Sequence, residues 1–148
     1  MLISAKPEKD NIFFMFAKIP EELTAKSENL LNFVGLYQKR KLRAGDLSFG
    51  QQKLLELAMA LMNEPKMLLL DEPTAGINPT LINGIIDRLV TINKEYGITL
   101  FVIEHNMRVI MNLAQKIFCL AHGKLLAEGE PEQIKNDKRV IDAYLGAQ

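Results

Sequence analysis

The sequence has 148 residues, of which 48% are apolar, and its 18 basic side chains balance 18 acidic ones. This length predicts one ordinary globular domain with a real core, and the neutral balance argues against nucleic acid as a partner. A single cysteine, Cys119, excludes an intrachain disulfide framework, and no apolar run reaches the roughly 20 residues that a membrane-spanning helix needs.

Apolar spacing and turn residues predict helices and strands in alternation after an irregular start at residues 1–20. Gly35 is expected to end the first helix, Asn78 and Pro79 to begin another, and His122-Gly123 to form a hairpin turn. The strand, helix, strand order predicts an α/β fold with parallel strands and crossover helices. Helices are predicted at 21–34, 48–62, 79–96 and 107–113, strands at 67–70, 99–103, 116–121 and 124–128, and short helices at 131–145.

The stretch LSFGQQ at 47–52 opens a predicted helix and places a glycine inside its first turn. Ser48 followed three residues later by Gln51 satisfies the capping-box pattern. Gly50 needs a different explanation, because a glycine inside a helix costs roughly 1 kcal/mol relative to alanine. A helix start attracts anions, and a glycine there would let the backbone approach a phosphate. Spacing alone leaves both the cap and the phosphate interpretation open.

Polar side chains follow both predicted parallel strands directly. Asp71 and Glu72 end the first strand and are either a solvated strand terminus or a pair in which one acid holds Mg²⁺ and the other activates water. His105 follows the second strand and is either a structural histidine or a group at the ligand-binding edge of the sheet. Each of these signals is weak when it stands alone.

Four motifs occur together in one order: LSFGQ at 47–51, MLLLDEP at 67–73, AGINP at 75–79 and VIEHN at 102–106. They closely resemble the signature, Walker B, D-loop and switch-histidine motifs of the ATP-binding subunits of ABC transporters. The tail GKLLAEGEPEQI with VIDAYLG is similar to branched-chain amino acid importers, with the lipopolysaccharide export ATPase as the nearest competitor. The resemblance covers the chain from about residue 21 and implies a partial P-loop NTPase-like fold with a C-terminal β-hairpin and short helices.

The resemblance also implies roles for individual residues. Asp71 would help to hold Mg²⁺, Glu72 would act as general base on the hydrolytic water, and His105 would contact the γ-phosphate of ATP. Three signature residues would contact the γ-phosphate of ATP held by the opposite subunit: Ser48, Gly50 and Gln51. Two positions depart from the family pattern, since Phe49 replaces the first signature glycine and Asn78 stands in the D-loop where many members have aspartate.

The phosphate-cradling loop of this family, G-x-x-x-x-G-K-[ST], does not occur in the 148 residues. The only Gly-Lys pair, Gly123-Lys124, has Phe118 in place of the first glycine and Leu125 in place of the serine or threonine. The glutamine loop that precedes the helical subdomain is absent as well. We therefore expect that the chain by itself neither binds nor hydrolyses ATP appreciably.

The missing loop also predicts how the chain is organised. Met1 is expected to start inside the usual family chain, residues 1–62 to be a remnant of the helical subdomain with the signature helix, and residues 63–148 to be the C-terminal part of the ATPase core. A parallel strand such as 67–70 normally has a neighbouring strand on each side and helices packed on both faces of its sheet. Poor solubility or dependence on a partner is the predicted consequence.

Two functional hypotheses follow from the resemblance. The first is the C-terminal part of an ATP-hydrolysing transporter subunit, peripheral on the inner face of the cell membrane in the cytoplasm. Its partners would be a second ATP-binding subunit, transmembrane permease subunits and a complementing N-terminal half. The second is a non-catalytic interaction module that completes a partner's ATP site through its signature. Retention of Glu72 and His105 favours the first hypothesis, because a pure donor of the signature would need neither.

Overall fold

The computed structural model describes residues 19–145, so most of the predicted irregular start at 1–20 lies outside the described residues. The described α-helices are α1 Glu21–Phe33, α2 Phe49–Leu61, α3 Pro79–Lys94, α4 Met107–Leu113, α5 Pro131–Asn136 and α6 Lys138–Val140, followed by a π-helical turn at Ile141–Leu145. Two short 3-10 helices, Tyr37–Lys39 and Ala44–Asp46, lie between α1 and α2. The strands are β1 Met67–Asp71, β2 Thr99–Ile103, β3 Ile117–Ala121 and β4 Lys124–Gly129. This order confirms the predicted α/β fold with a C-terminal hairpin and short helices.

The chain divides into two compact units between Ile103 and Glu104. The predicted organisation into 1–62 and 63–148 is a statement about family domains and stays a prediction. Within residues 19–145, no helix combines the length and the apolar character that crossing a bilayer requires.

In the first unit, α1 packs against α2 through a cluster of buried apolar side chains. Gly35 ends α1 as predicted: it adopts a φ of 76°, and the amide of Leu36 donates to the carbonyl of Leu31 across 2.7 Å. This turn brings the chain back over the helix, so that residues on both sides of it share one core. The buried members are Val34, Leu36, Leu47 and Ala58, with Leu30, Leu31, Phe33, Leu54 and Leu55 packed against them.

The crossover from β1 to β2 is made by α3, whose start and apolar face are both as predicted. The side chain of Asn78 accepts the amide of Thr80, and Pro79 occupies the first turn. The strands pair in parallel, from Met67 opposite Thr99 to Asp71 opposite Ile103. One face of α3 is buried, through Ile82, Ile85, Ile86, Leu89 and Ile92.

One face of the β1–β2 sheet is open to solvent along its whole length. Its side chains include four large apolar residues with high exposure: Met67 at 53%, Leu69 at 74%, Phe101 at 53% and Ile103 at 56%. We call this set the open sheet face. Parallel sheets are normally covered on both faces, and full burial of an apolar side chain of this size contributes roughly 1.5–3 kcal/mol. Covering the open sheet face with another apolar surface would therefore be strongly favourable.

The second unit is built on the antiparallel hairpin of β3 and β4. His122 and Gly123 turn the chain with φ values of 50° and 73°, the left-handed pair that a two-residue hairpin turn requires, so the predicted turn is confirmed. One side of the hairpin packs under α5 and α6, through a buried cluster of Ile117, Cys119, Ala127, Ile134 and Val140. Burial raises the pKa of the Cys119 thiol, with a smaller contribution from the charge of Asp137.

We expect the purified chain to self-associate through the open sheet face. Replacing Leu69→Lys and Phe101→Lys together should shift sedimentation toward the monomer, because two charges on paired strands oppose apolar association. The matched control is Leu42→Lys, since Leu42 is 51% exposed but lies outside the sheet, and it should leave association unchanged. A wild-type chain that sediments as a single monomer and melts cooperatively would contradict this expectation.

Candidate functional site

The signature segment begins α2 with the predicted capping box. The amide of Gln51 donates to Ser48 Oγ across 3.4 Å, and the amide of Ser48 donates to Gln51 Oε1 across 3.1 Å. These two bonds satisfy donors that the helix start would otherwise leave unpaired. The cap interpretation is therefore confirmed for Ser48 and Gln51, and Gly50 still needs its own explanation.

Gly50 is buried against the segment that opens α3. A Cβ atom at this position would lie 3.2 Å from Leu81 Cδ1 and 3.7 Å from Ile77 Cγ2. The nearer atom ends a flexible side chain that is 45% exposed, so it is free to shift by a few tenths of an ångström. Packing alone therefore tolerates an alanine here, and it does not by itself account for the glycine.

The two acids lie where β1 ends, and both are exposed. Asp71 is the last residue paired with β2, and the amide of Glu72 continues the pairing by donating to the carbonyl of Ile103 across 2.9 Å. Glu72 has a φ of 45°, in the left-handed region that costs a non-glycine residue roughly 1–2 kcal/mol. Glu64 and His122 adopt the same left-handed region, at φ values of 48° and 50°. Backbone strain of this kind is often found at functional sites, and one of these three residues is the predicted general base.

The loop between Glu72 and α3 is a chain of tight turns. The amide of Ala75 donates to the carbonyl of Glu72 across 3.0 Å, and that of Ile77 donates to the carbonyl of Thr74 across 3.3 Å. Asn78 Oδ1 accepts both from the amide of Thr80 at 3.0 Å and from its hydroxyl at 2.6 Å. Asn78 therefore uses its side-chain carbonyl to cap α3, a bond that an aspartate would also make.

His105 belongs to the second unit, whereas the other predicted site residues belong to the first. It is exposed and precedes Asn106, whose side chain caps α4 by accepting the amide of Arg108 across 3.1 Å. The amide of Asn106 in turn donates to Glu104 Oε2 across 3.2 Å. Asn106 thus connects the residue before His105 to the start of α4.

Among residues 19–145, no three His, Cys, Asp or Glu side chains converge as a metal cluster. Mg²⁺ commonly takes only one or two carboxylates and completes its shell with water and substrate phosphates. The exposed carboxylate of Asp71, with Glu72 beside it, fits that donor chemistry. It would supply one part of a magnesium shell rather than the whole of it.

Sequence reasoning did not anticipate the contact between Phe49 and Gly76. The ring of Phe49 lies 3.1 Å, at Cε1, from where a Cβ of Gly76 would stand, and Gly76 has a φ of 69°. The glycine in AGINP was the available signal, since a left-handed glycine often makes room for a neighbour. Its partner is the first residue of α2, which precedes β1 in the chain, and no local pattern reveals such a contact.

We expect Glu72→Gly to be more stable than Glu72→Ala by about 1 kcal/mol in chemical denaturation, because both changes remove the side chain and only alanine keeps the left-handed strain. The reverse order is expected at Asp71, where a strand backbone favours alanine over glycine by roughly 0.5–1 kcal/mol. Equal stabilities of the two Glu72 variants would show that the backbone there carries no strain.

Comparison with known proteins places these features in one family. A family model described as ABC transporter matches residues 3–75, and one described as branched-chain amino acid ATP-binding cassette transporter matches residues 124–148. The chain is 38% identical over 131 residues to the probable branched-chain amino acid transport ATP-binding protein LivG of Archaeoglobus fulgidus, covering 88% of this chain and 51% of the relative. It is 35% identical over 144 residues to the high-affinity LivG protein of Escherichia coli K12, covering 93% and 56%.

Solved structures agree with the sequence matches. MJ1267, an ATP-binding cassette of an ABC transporter, superposes with a TM-score of 0.78 at 32% identity, over 97% of this chain and 60% of that one. The dimeric post-hydrolysis state of the ATP-binding cassette MJ0796, bound to ADP and Pi, gives a TM-score of 0.68 at 28% identity, over 78% and 50%. The chain thus spans about half the length of the curated relatives it matches. It belongs to the ABC transporter ATP-binding family and is similar to the branched-chain amino acid members of that family.

Proposed function

We propose that the chain is the C-terminal portion of the ATP-hydrolysing subunit of an ABC transporter that imports branched-chain amino acids. The observation that carries the proposal is that four family motifs occur in order and in register on a fold like that of MJ1267. The substrate class rests on the branched-chain family match at 124–148 and on the names of the two LivG relatives.

The two acids at the end of β1 have separate tasks in this proposal. Asp71 holds Mg²⁺, which, when bound, neutralises charge on the phosphates. Glu72 orients the attacking water and accepts its proton, a task suited to an exposed carboxylate held at a defined backbone position. His105 donates a hydrogen bond to the γ-phosphate. In support, each of these side chains follows a parallel strand, where α/β sheets bind their ligands.

The signature acts on a different nucleotide, one that an opposing subunit holds. The start of α2 presents the positive end of a 13-residue helix. Ser48, Gly50 and Gln51 contact the γ-phosphate there. Asn78 contributes to the same contact, because it follows Ile77, whose side chain lies against Gly50. The dimer of MJ0796 with ADP and Pi supports a second ATP-binding subunit as the partner.

The 148-residue chain alone lacks the loop that grips ATP. ATP in P-loop proteins is gripped by the amides and lysine of G-x-x-x-x-G-K-[ST], and the sequence contains no such loop. We therefore infer that Asp71, Glu72 and His105 act only once an N-terminal half supplies that grip. The signature alone could serve a partner without it.

The first unit has apolar surfaces that an N-terminal half would cover. Beside the open sheet face, a cavity of about 250 Å³ lies between α2, β1 and α3, with an apolar floor that includes Leu57, Leu70 and Leu89 and with Lys53 and Asp71 among its polar lining. We propose that the complementing half covers these apolar surfaces. Permease subunits complete the assembly, which places the chain on the cytoplasmic side of the membrane, at its inner face.

An interaction module that lends only its signature is the second candidate. The intact capping box of α2 favours it as well, because that box needs nothing from the missing loop. Glu72 and His105 separate the two candidates, because a pure signature donor would need neither side chain. The tail is also similar to that of the lipopolysaccharide export ATPase, and the branched-chain family match at 124–148 favours the importer over that alternative.

We expect Gly50→Ala to raise the free energy of unfolding by up to about 1 kcal/mol, since alanine favours the helix and Leu81 has room to shift. The same change should lower ATP turnover in the assembled transporter, because the proposed phosphate contact uses the backbone at position 50 and a Cβ there displaces Leu81. Denaturant titration and turnover test the two halves. A loss of more than about 1 kcal/mol would instead assign the glycine to packing.

We expect calorimetric titration of the purified 148-residue chain with Mg-ATP to show no binding in the micromolar range and no phosphate release. The physical reason is the missing cradle of amides and lysine. Glu72→Gln is the matched variant, and its behaviour should be indistinguishable from wild type in this assay. Micromolar binding, or turnover that Glu72→Gln abolishes, would contradict the inference.

A further inference from the structure

Phe49 is the first residue of α2, and burial does not explain where its aromatic side chain lies. Phe49 is 54% exposed, yet its ring lies where a side chain of residue 76 would begin. Three ring atoms come within 4 Å of where a Cβ of Gly76 would stand, at 3.1, 3.7 and 3.8 Å. The ring therefore occupies the space that the absence of a side chain at position 76 leaves open.

Gly76 fits this contact in two ways. Its φ of 69° is strained for any residue with a Cβ, and that Cβ would meet Phe49 Cε1 at 3.1 Å. The two effects are physically distinct, because the first belongs to the backbone of position 76 and the second exists only while the ring is present. An experiment is able to separate them.

The next residue of α2 extends the same junction. Gly50 lies against Ile77 and Leu81, since a Cβ there would lie 3.7 and 3.2 Å from their side chains. Two successive residues at the start of α2 thus contact the loop before α3 and its first turn. Lys53, one turn along α2, adds a weak contact, since its Nζ lies 5.7 Å from the centre of the Phe49 ring.

We propose that Phe49 is a positioning residue, which ties the signature end of α2 to the loop at 72–79 so that both move as one body. The functional value of this rests on the proposed function, in which Ser48, Gly50 and Asn78 approach the partner's nucleotide together. The family signature resembled here has a glycine at this position, which has no ring. The junction is therefore a property of chains that carry an aromatic residue at position 49.

Backbone amides inside the loop report on the junction without any nucleotide. The amides of Ala75 and Ile77 are hydrogen-bonded to Glu72 and Thr74, and their exchange with solvent requires the loop to open. Phe49→Ala should speed hydrogen exchange at both amides about threefold or more, the size typical of coupled neighbours. Phe49→Tyr keeps the ring and should restore exchange to within about twofold of wild type, whereas Phe49→Leu, which keeps the apolar volume without the ring, should not.

A double-mutant cycle with Gly76→Ala tests the contact itself. Gly76→Ala should speed exchange more in the wild-type background than in the Phe49→Ala background, because the backbone strain is common to both and the clash with the ring is not. Phe118→Ala is the matched control, since Phe118 is 52% exposed and has Lys116 Nζ 4.8 Å from its ring centre, in the other unit. It should leave exchange of Ala75 and Ile77 unchanged.

Three results would overturn the proposal: unchanged exchange in Phe49→Ala, a Phe49→Tyr chain that behaves like Phe49→Ala, or additive effects in the cycle. If Phe49→Ala does not fold, Phe49→Leu takes its place, because it keeps the apolar volume and removes the ring. All of these measurements are made without ATP. Their failure is therefore distinct from a failure of the proposed function, which Mg-ATP titration and turnover test.

Discussion

The parallel pairing of β1 with β2 is the constraint on which the first unit depends. It brings the carboxyl ends of both strands to one edge, and the bond from the Glu72 amide to the Ile103 carbonyl continues the pairing beyond the last paired residue. Parallel neighbours cannot be joined by a tight turn, so the chain must cross over through a helix. That crossover is α3, and the loop that leads into it carries Gly76 and Asn78.

Two positions in the first unit, Gly50 and Glu72, give up stability that other residues would retain. Gly50 is a glycine in a helix where packing tolerates alanine, and Glu72 holds a left-handed conformation that glycine would adopt without strain. Local rules are most often broken where a protein binds or reacts. Both positions are ones that the proposed function uses, whereas Ser48 and Gln51 obey the rules of a helix cap. Each position supports a role for its own segment, Gly50 for the start of α2 and Glu72 for the end of β1.

Local chemistry explains how much of the fold could be predicted from the sequence. The capping box, the Asn78-Pro79 helix start, the Gly35 helix end and the His122-Gly123 turn each depend on residues within a few positions of one another, and all four are confirmed. Helix and strand bounds agree to within about two residues for the same reason. The roles of Asp71, Glu72 and His105 came from the family resemblance and stay predictions.

Two features could not be predicted, because they depend on contacts between distant segments. The first is the strain at Glu72, whose amide bonds to β2, a strand that follows α3 in the chain. The second is the contact between the Phe49 ring and Gly76, which joins the start of α2 to the loop before α3. The sequence predicts that the parallel sheet has an uncovered surface, because parallel strands are normally packed on both faces. Which side chains are exposed depends on the register of β1 with β2, which the sequence does not specify.

In the proposed function, Asp71 and Glu72 serve hydrolysis while the nucleotide is gripped by a phosphate-binding loop that these 148 residues do not contain. The most direct measurement is ATP turnover after mixing the chain with the separately produced N-terminal part of the Archaeoglobus fulgidus relative that this chain does not match. Turnover is expected to appear only in the mixture and to vanish with Glu72→Gln. A mixture that assembles yet hydrolyses nothing, or one whose turnover is unaffected by Glu72→Gln, would contradict the claim.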